Sequence, residues 1–131
     1  MTFQPDPKDE PRVDNPDVYK QFHRYGRECV HCGNRHVTAA HLLGGKMRED
    51  VLEGLIPLCG SGSKGCHGAF DNGHSYIGDF GRKVTPAAVR FSVAFFLQSE
   101  AGDDQREYLK RRLGDGGYLN YIDRLEAGVN A

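Results

Sequence analysis

The sequence predicts an α+β fold in which helices flank a small core of short strands joined by clustered cysteines. Three observations support this class. The chain has 131 residues, 38% of them apolar, which suits one domain with a modest core. Residues 29–72 are rich in glycine, cysteine and histidine and contain only short β-leaning runs, at 35–43 and 55–58. Signals for the start of a helix stand on both sides of this segment.

The chain is predicted to form one domain with an N-terminal arm. Residues 1–14 contain three prolines and six charged side chains and almost nothing apolar, which is typical of a flexible arm. We expect the core over residues 15–84 and a helical extension of the same domain over residues 85–131. The sequence has no run of about 18 apolar residues and no signal-peptide pattern. We therefore expect a cytoplasmic protein without membrane contact.

The first helix is predicted to start at Asn15 and Pro16. The amide side chain can cap free N–H groups, and proline fits the first turn of a helix. The apolar face that follows at helical spacing consists of Val18, Tyr19, Phe22 and Tyr25. Gly26 is expected to end this helix in a left-handed conformation.

The C-terminal part is predicted to contain three helices. Thr85 and Pro86 repeat the cap-and-proline pattern and precede an apolar stretch over residues 87–97. A helix that is apolar on most sides is expected in the core, and the alternative is a subunit contact in a homodimer. Residues 103–113 and 118–127 predict two further short helices, which end at Gly114 and Gly128.

Four cysteines form two pairs, about thirty residues apart, with the spacing of zinc ligands. Cys29 and Cys32 are separated by two residues, and Cys59 and Cys66 by six residues, three of them glycine. A short spacer lets two thiolates face one ion, and the glycine-rich spacer can loop out without strain. These pairs predict a structural zinc site with four cysteine ligands. Disulfides or reduced buried thiols are the alternatives.

Two histidines and an aspartate lie between and just after these pairs. If Cys32 and Cys59 share a metal ion, the chain between them doubles back as a hairpin, so that His41 can face the segment that starts at His67. His67 and Asp71 are four residues apart, which places them on one face of a helix. An imidazole and a carboxylate with open positions suit a hard divalent cation. His41 is then left as a neutral base.

At these residues the sequence resembles the HNH endonucleases, a bacterial and bacteriophage group of treble-clef, ββα-metal nucleases. The resemblance spans about residues 26–74. Its motifs, in the order of the family, are the knuckle Cys29-x2-Cys32, the strand end Ala39-Ala40-His41-Leu42, the run Leu55-Ile56-Pro57-Leu58-Cys59, and the segment Cys66-His67-x3-Asp71-Asn72-Gly73.

The resemblance implies a zinc-stapled ββα-metal core and a DNA endonuclease activity. It assigns the general base that activates water to His41. It assigns the catalytic divalent cation, Mg, Mn or another metal, to His67 and Asp71. It implies that the four cysteines hold structural zinc. With one base and one cation the enzyme would nick one strand, or cut both strands as a dimer.

The charge distribution fits a centre that meets phosphate. Residues 18–90 carry ten basic and six acidic side chains, whereas acidic side chains outnumber basic ones in both flanking segments. A solvated surface with ordinary scatter of charge would look similar. The candidates for phosphate contact are Lys46, Arg48, Lys64, Arg82 and Lys83.

Two positions depart from the family pattern. Residue 40 is alanine where many members have a metal ligand, and residue 54 is glycine where an asparagine commonly supports the hairpin or orients the base. Asp50, Glu53 and His36 are the candidates for an alternative orienter of His41. These departures favour the alternative function, a zinc-dependent nucleic-acid-binding module that cuts nothing.

Overall fold

The computed structural model describes residues 15–24 and 26–128. Its centre is a β-hairpin in which β1 (Val37–His41) pairs antiparallel with β2 (Leu55–Cys59). Val37 lies opposite Cys59, and His41 lies opposite Leu55. The predicted hairpin between the two cysteine pairs is therefore confirmed. The predicted arm over residues 1–14 lies outside the described residues.

Four helices surround the hairpin, and a second, shorter hairpin lies between two of them. The helices are α1 (Pro16–His23), α2 (Gly65–Asn72), α3 (Pro86–Leu97) and α4 (Asp103–Glu126). The second hairpin consists of β3 (Tyr76–Ile77) and β4 (Lys83–Val84). Together these elements form the mixed α/β fold that the sequence predicts.

Both predicted cap-and-proline signals start a helix. The Asn15 side chain accepts a hydrogen bond from the backbone N–H of Asp17 at 3.2 Å, and the Thr85 hydroxyl accepts one from the N–H of Ala88 at 3.2 Å. Each bond satisfies one of the N–H groups that a helix start leaves without a backbone partner. The first helix is shorter than predicted: α1 ends at His23, so Gly26, with φ 58°, lies beyond it. Tyr25 lies outside the described residues.

The last helix is broken where the sequence predicts a stop. Gly114 has φ 76° and ψ 168°, which are not helical values, so that two helical segments meet at a kink inside α4. A residue with a side chain rarely adopts a positive φ, and glycine at this position makes the kink possible. The predicted pair of short helices is therefore confirmed in substance, although they follow each other without a loop.

The central hairpin is buried on both faces. Side chains alternate along a strand, so Thr38 and Ala40 share one face of β1, and Ala39 and His41 share the other. The Ala40 face contributes to the main core, which it shares with α2, α3 and α4. The Ala39 face packs on α1 through a small cluster consisting of Val18, Phe22, Ala39 and Leu55.

Helix α3 is part of the core on one side only. Val89, Val93, Ala94 and Leu97 are buried. Phe91 and Phe95 are 42% and 70% exposed. The prediction of a helix apolar on most sides is right, but its burial covers a single face. Over the described ranges, no helix has the length and apolar character needed to cross a membrane.

Candidate functional site

The four cysteines meet at the base of the hairpin and can hold a metal ion. Their Sγ atoms all lie within 4.8 Å of one another, and none forms a disulfide. Cys32 Sγ and Cys59 Sγ are 3.6 Å apart. Bonds of about 2.3 Å from zinc to sulfur give tetrahedral sulfur separations of about 3.8 Å. The donor set and its spacing therefore fit a tetrahedral ion, and the disulfide alternative does not apply.

The unusual six-residue spacer closes because two of its glycines allow a tight turn. Gly60 and Gly65 have φ values of 87° and 66°. A Cβ on Gly60 would collide with the carbonyl of Lys64, and one on Gly65 would collide with that of Cys59. Ser61 and Lys64 exchange two backbone hydrogen bonds of 3.0 Å within this turn. The turn brings Cys66, in the first turn of α2, back to Cys59.

Contacts within this cluster shift the pKa values of its thiols in opposite directions, and that of Cys32 is raised to about 11, first by burial. The pKa of Cys29 is lowered to about 4, first because the Cys66 thiol donates a hydrogen bond to its sulfur. The pKa of Cys66 is raised, first by its hydrogen bond with Cys29 and then by burial, and the Tyr76 hydroxyl, 2.9 Å from Cys66 Sγ, acts in the opposite direction. Tyr76 comes from β3, outside the cysteine motifs, and no sequence signal connects it with them. It is a hydrogen-bond partner of the cysteine cluster that the sequence did not predict.

His41, the last residue of β1, is held by a carboxylate and a phenol. Its Nε2 lies 3.0 Å from Asp50 Oδ1 and 3.3 Å from the Tyr19 hydroxyl. Tyr19 donates to the same Asp50 oxygen at 2.6 Å, and the N–H of Asn15 donates to the other oxygen at 3.0 Å. We call His41, Asp50 and Tyr19 the His41 network.

The carboxylate in this network is held in its ionised form. Asp50 is only 7% exposed. Burial alone raises its pKa, but hydrogen bonds from Tyr19, His41 and the Asn15 backbone outweigh burial and lower the pKa to about 2. With the ring proton on Nε2, the imidazole donates a hydrogen bond to the ionised Asp50 and keeps its lone pair on Nδ1.

Asp50, Glu53 and His36 are the three residues expected to orient His41. Of these, Asp50 contacts it in the structure. Glu53 lies 3.5 Å from the guanidinium of Arg111 on α4. His36 is exposed before the start of β1. The sequence contains all three candidates, but only the fold distinguishes Asp50 from the other two.

His67 and Asp71 form a second pair, on α2. Their Nε2 and Oδ2 atoms are 2.8 Å apart, one helical turn from each other as predicted. The other ring nitrogen, Nδ1, hydrogen-bonds to the Thr38 hydroxyl on β1. His67 is buried and Asp71 is exposed. Two adjacent ligands of an octahedral Mg²⁺ at about 2.0 to 2.1 Å stand about 2.9 Å apart, so this pair fits a divalent cation.

The His41 network and the His67 pair contact opposite faces of β1. Thr38 contacts His67, whereas His41 belongs to the face that packs on α1. In the described part of the chain, only the four cysteines form a group of three or more metal-ligating side chains. His41 is therefore not a third ligand of the His67 pair, and no contact among the described residues joins it to the segment that starts at His67, which the sequence analysis expects it to face.

The two departures from the family pattern have structural reasons. Ala40 is fully buried in the main core, so no ligand side chain projects from this position. A Cβ on Gly54 would lie 3.0 Å from the ring of Tyr108, because α4 packs closely on this turn. The backbone of Gly54 still supports the hairpin: its carbonyl accepts a hydrogen bond of 3.0 Å from Leu42 N–H.

The five predicted phosphate contacts are all exposed, and they lie in different parts of the fold. Arg48 is next to the His41 network, with Nε 3.4 Å from His41 Nε2. Lys46 is in the 3₁₀ turn Gly45–Met47, and Lys64 immediately precedes α2. Arg82 and Lys83 belong to the short hairpin after α2. Of these five residues, Arg48 is the one with a described contact to His41.

Comparison of the chain with family models, curated proteins and solved structures finds no significant match. The features of the chain that bear on function are therefore the motifs of residues 26–74 and the contacts that their side chains make.

Proposed function

We propose that the protein is a metal-dependent DNA endonuclease of the HNH type, which hydrolyses phosphodiester bonds. The observation that carries the proposal is the His41 network. A buried, ionised Asp50 facing Nε2 is the arrangement expected of a histidine that must keep Nδ1 free as a base. A histidine with only a packing role has no need of a buried carboxylate.

In the proposed reaction, His41 Nδ1 takes the proton from the attacking water. Asp50 and Tyr19 hold the ring in the required tautomer and orientation. General-base catalysis of this kind contributes roughly 100- to 10,000-fold. Arg48, beside His41, binds a phosphate oxygen of the strand that is cut.

His67 and Asp71 are the residues that would hold the catalytic divalent cation. The ion, when bound, stabilises the negative charge that develops on the phosphate and the leaving oxygen. The proton that now joins His67 Nε2 and Asp71 Oδ2 would give way to the cation. Thr38, through Nδ1, fixes the ring so that Nε2 keeps facing Asp71.

We infer that the ion of the four-cysteine site is zinc and that its role is structural. Four thiolates suit Zn²⁺, and a complete set of protein ligands leaves no open position for substrate. The ion would join the loop of Cys29 and Cys32 to the end of β2 and the start of α2. It would thereby hold the helix that carries His67 against the strand that carries His41.

A homodimer would allow both strands of a duplex to be cut. The exposed Phe91 and Phe95 are one turn apart on α3 and are the surface on which a second copy would pack. Sedimentation of the wild type beside a Phe91→Ser/Phe95→Ser variant tests this arrangement. A monomeric wild type would restrict the enzyme to nicking.

Nicking of supercoiled plasmid with Mg²⁺ or Mn²⁺ tests the activity. Wild type is compared with His41→Ala and His67→Ala, and with His23→Ala as the matched control, since His23 is exposed on α1. We expect wild type and the control to nick and the other two variants to fail while retaining zinc. A folded, zinc-loaded wild type that binds DNA but cuts no form of it would contradict the proposal and favour the binding module.

A further inference from the structure

Two arginines from different helices face one cavity at the C-terminal end of α2. The cavity, of about 320 Å³, is lined by Arg90 of α3 and by Tyr121, Arg124 and Leu125 of α4. Neither arginine was among the phosphate contacts that the sequence predicts. They are far apart along the chain, and only the packing of α3 on α4 brings them to the same cavity.

Residues that line the cavity contact chain positions next to both parts of the proposed catalytic site. Tyr121 donates a hydrogen bond of 2.7 Å to the carbonyl of Leu42, the residue after His41. Arg90 Nη2 lies 4.0 Å from the position that a Cβ would take on Gly73, the residue that ends α2. Burial is the main cause of the raised pKa of Tyr121, and the negative charge of Asp71 adds to that rise.

Among the residues that the structure describes, Arg90 on α3 and Arg124 on α4 have no carboxylate partner, whereas the other arginines of α4 do. Arg106 pairs with Asp103, Arg111 with Glu53, and Arg112 with Glu49. Across residues 15–24 and 26–128, no carboxylate lies within the 4.0 Å of an ion pair from Arg90 or Arg124. Two guanidinium groups at one cavity, neither of them in an ion pair with a described carboxylate, create a positive potential that attracts an anion.

We propose that Arg90 and Arg124 bind one phosphate group of the DNA backbone, beside the phosphodiester that is cut. This inference rests on the proposed nuclease function for its choice of ligand. The planar guanidinium matches two phosphate oxygens at once, which is why arginine suits phosphate recognition. Held there, the phosphate would lie near Leu42, which follows His41, and near Gly73, which ends the helix that carries His67 and Asp71.

Equilibrium binding of a short duplex in EDTA tests this site without cleavage. Affinity is measured by fluorescence anisotropy between about 50 and 200 mM salt, because each neutralised phosphate contributes about 0.9 to the slope of log K against log salt. We expect Arg90→Gln/Arg124→Gln to weaken binding and to reduce the slope by about 0.9. Arg90→Lys/Arg124→Lys should keep most of the slope, since it keeps the charge.

The matched control is Arg35→Gln/Arg111→Gln, which removes the same charge from two arginines that are paired with carboxylates. We expect this control to lose less affinity, and to change the slope less, than the Arg90→Gln/Arg124→Gln variant. If the Arg90/Arg124 variant is folded and zinc-loaded but binds DNA like the wild type, the phosphate site is wrong. If both double variants lose the same affinity, general charge and not a site explains the binding, and the inference is equally overturned.

Two further outcomes separate this inference from the nuclease proposal and from a free anion. A wild type that cuts nothing but loses DNA affinity in the Arg90/Arg124 variant refutes the chemistry and supports the phosphate site. Thermal unfolding with inorganic phosphate tests the other source. If inorganic phosphate stabilises the wild type and not the variant while both proteins bind DNA equally, the ligand is a free phosphate, and its assignment to the DNA backbone is overturned.

Discussion

The carboxylate of Asp50 lies 3.0 Å from Nε2 of His41 and receives a second hydrogen bond, of 2.6 Å, from Tyr19 on α1. These contacts join the first helix to the end of the central hairpin. They also give the imidazole a fixed orientation, which an isolated histidine at a strand end would lack. In the proposed enzyme, Asp50 would therefore orient His41, a role for which Gly54 has no side chain.

Replacement of Asp50 by asparagine should reduce kcat for nicking by about 10- to 100-fold, the usual effect of losing a residue that orients a catalytic imidazole. The amide keeps the size of the carboxylate but not its charge, so the Nε2–H tautomer is held less firmly. The pH profile of kcat should therefore change shape, which a purely structural role would not cause. Asp115→Asn, at an exposed position on α4, is the control. Unchanged kcat and pH profile in Asp50→Asn would exclude Asp50 as a positioning residue.

Asp50 should also make stability depend on pH at the acid end. Its pKa falls from about 4 in the unfolded chain to about 2 in the folded protein. A lowered folded pKa contributes stability that is present above about pH 4 and is lost as the pH falls towards 2. Urea unfolding of wild type should show this loss, and Asp50→Asn should lose less stability over the same interval. Parallel curves for the two proteins would show that Asp50 does not contribute to the acid-end dependence.

Loss of the Tyr76 hydroxyl should weaken metal binding at the four cysteines. The hydroxyl lies 2.9 Å from Cys66 Sγ and would be the donor once that sulfur is a metal-bound thiolate. Donors of this kind, outside the ligand set, typically change metal affinity by 10- to 100-fold, so we expect Tyr76→Phe to lose about 10-fold. Competition with a chromogenic chelator measures the affinity. Equal zinc affinity in wild type and Tyr76→Phe would mean that the hydroxyl does not act on the thiolates.

Tyr118→Phe is the matched control for this experiment. The Tyr118 hydroxyl is buried and has no hydrogen-bond partner among the described residues. Removing a buried hydroxyl without a partner should leave zinc affinity unchanged and raise the free energy of unfolding by about 1 kcal/mol. Destabilisation of this variant would indicate that the hydroxyl has a partner after all.

A side chain at residue 54 should destabilise the protein. In Gly54→Ala the new Cβ meets the Tyr108 ring at 3.0 Å, and overpacking of this kind costs about 1 to 3 kcal/mol. Gly62→Ala provides the control, since a Cβ there meets nothing within 4 Å. Chemical denaturation compares the two variants. If Gly54→Ala is as stable as Gly62→Ala, steric exclusion by α4 does not explain the glycine.

The sequence by itself determined the features that depend on neighbours along the chain. The caps at Asn15 and Thr85 start helices, and the four-residue step from His67 to Asp71 places both on one face of α2. The two cysteine pairs and the hairpin between them follow from spacing and from short β-leaning runs. Such signals act through backbone geometry with a fixed repeat, so they can be predicted without knowledge of the rest of the fold.

Only the tertiary structure decided which distant side chains complete these sites. Tyr19 reaches Asp50 across 31 positions, and Arg90 meets Arg124 at one cavity because α3 packs on α4. The same packing of α4 explains Gly54, since Tyr108 occupies the space that a side chain would need. These contacts depend on how helices cross over a shared core. That crossing is set by the fit of many side chains at once, and no local pattern in the sequence encodes it.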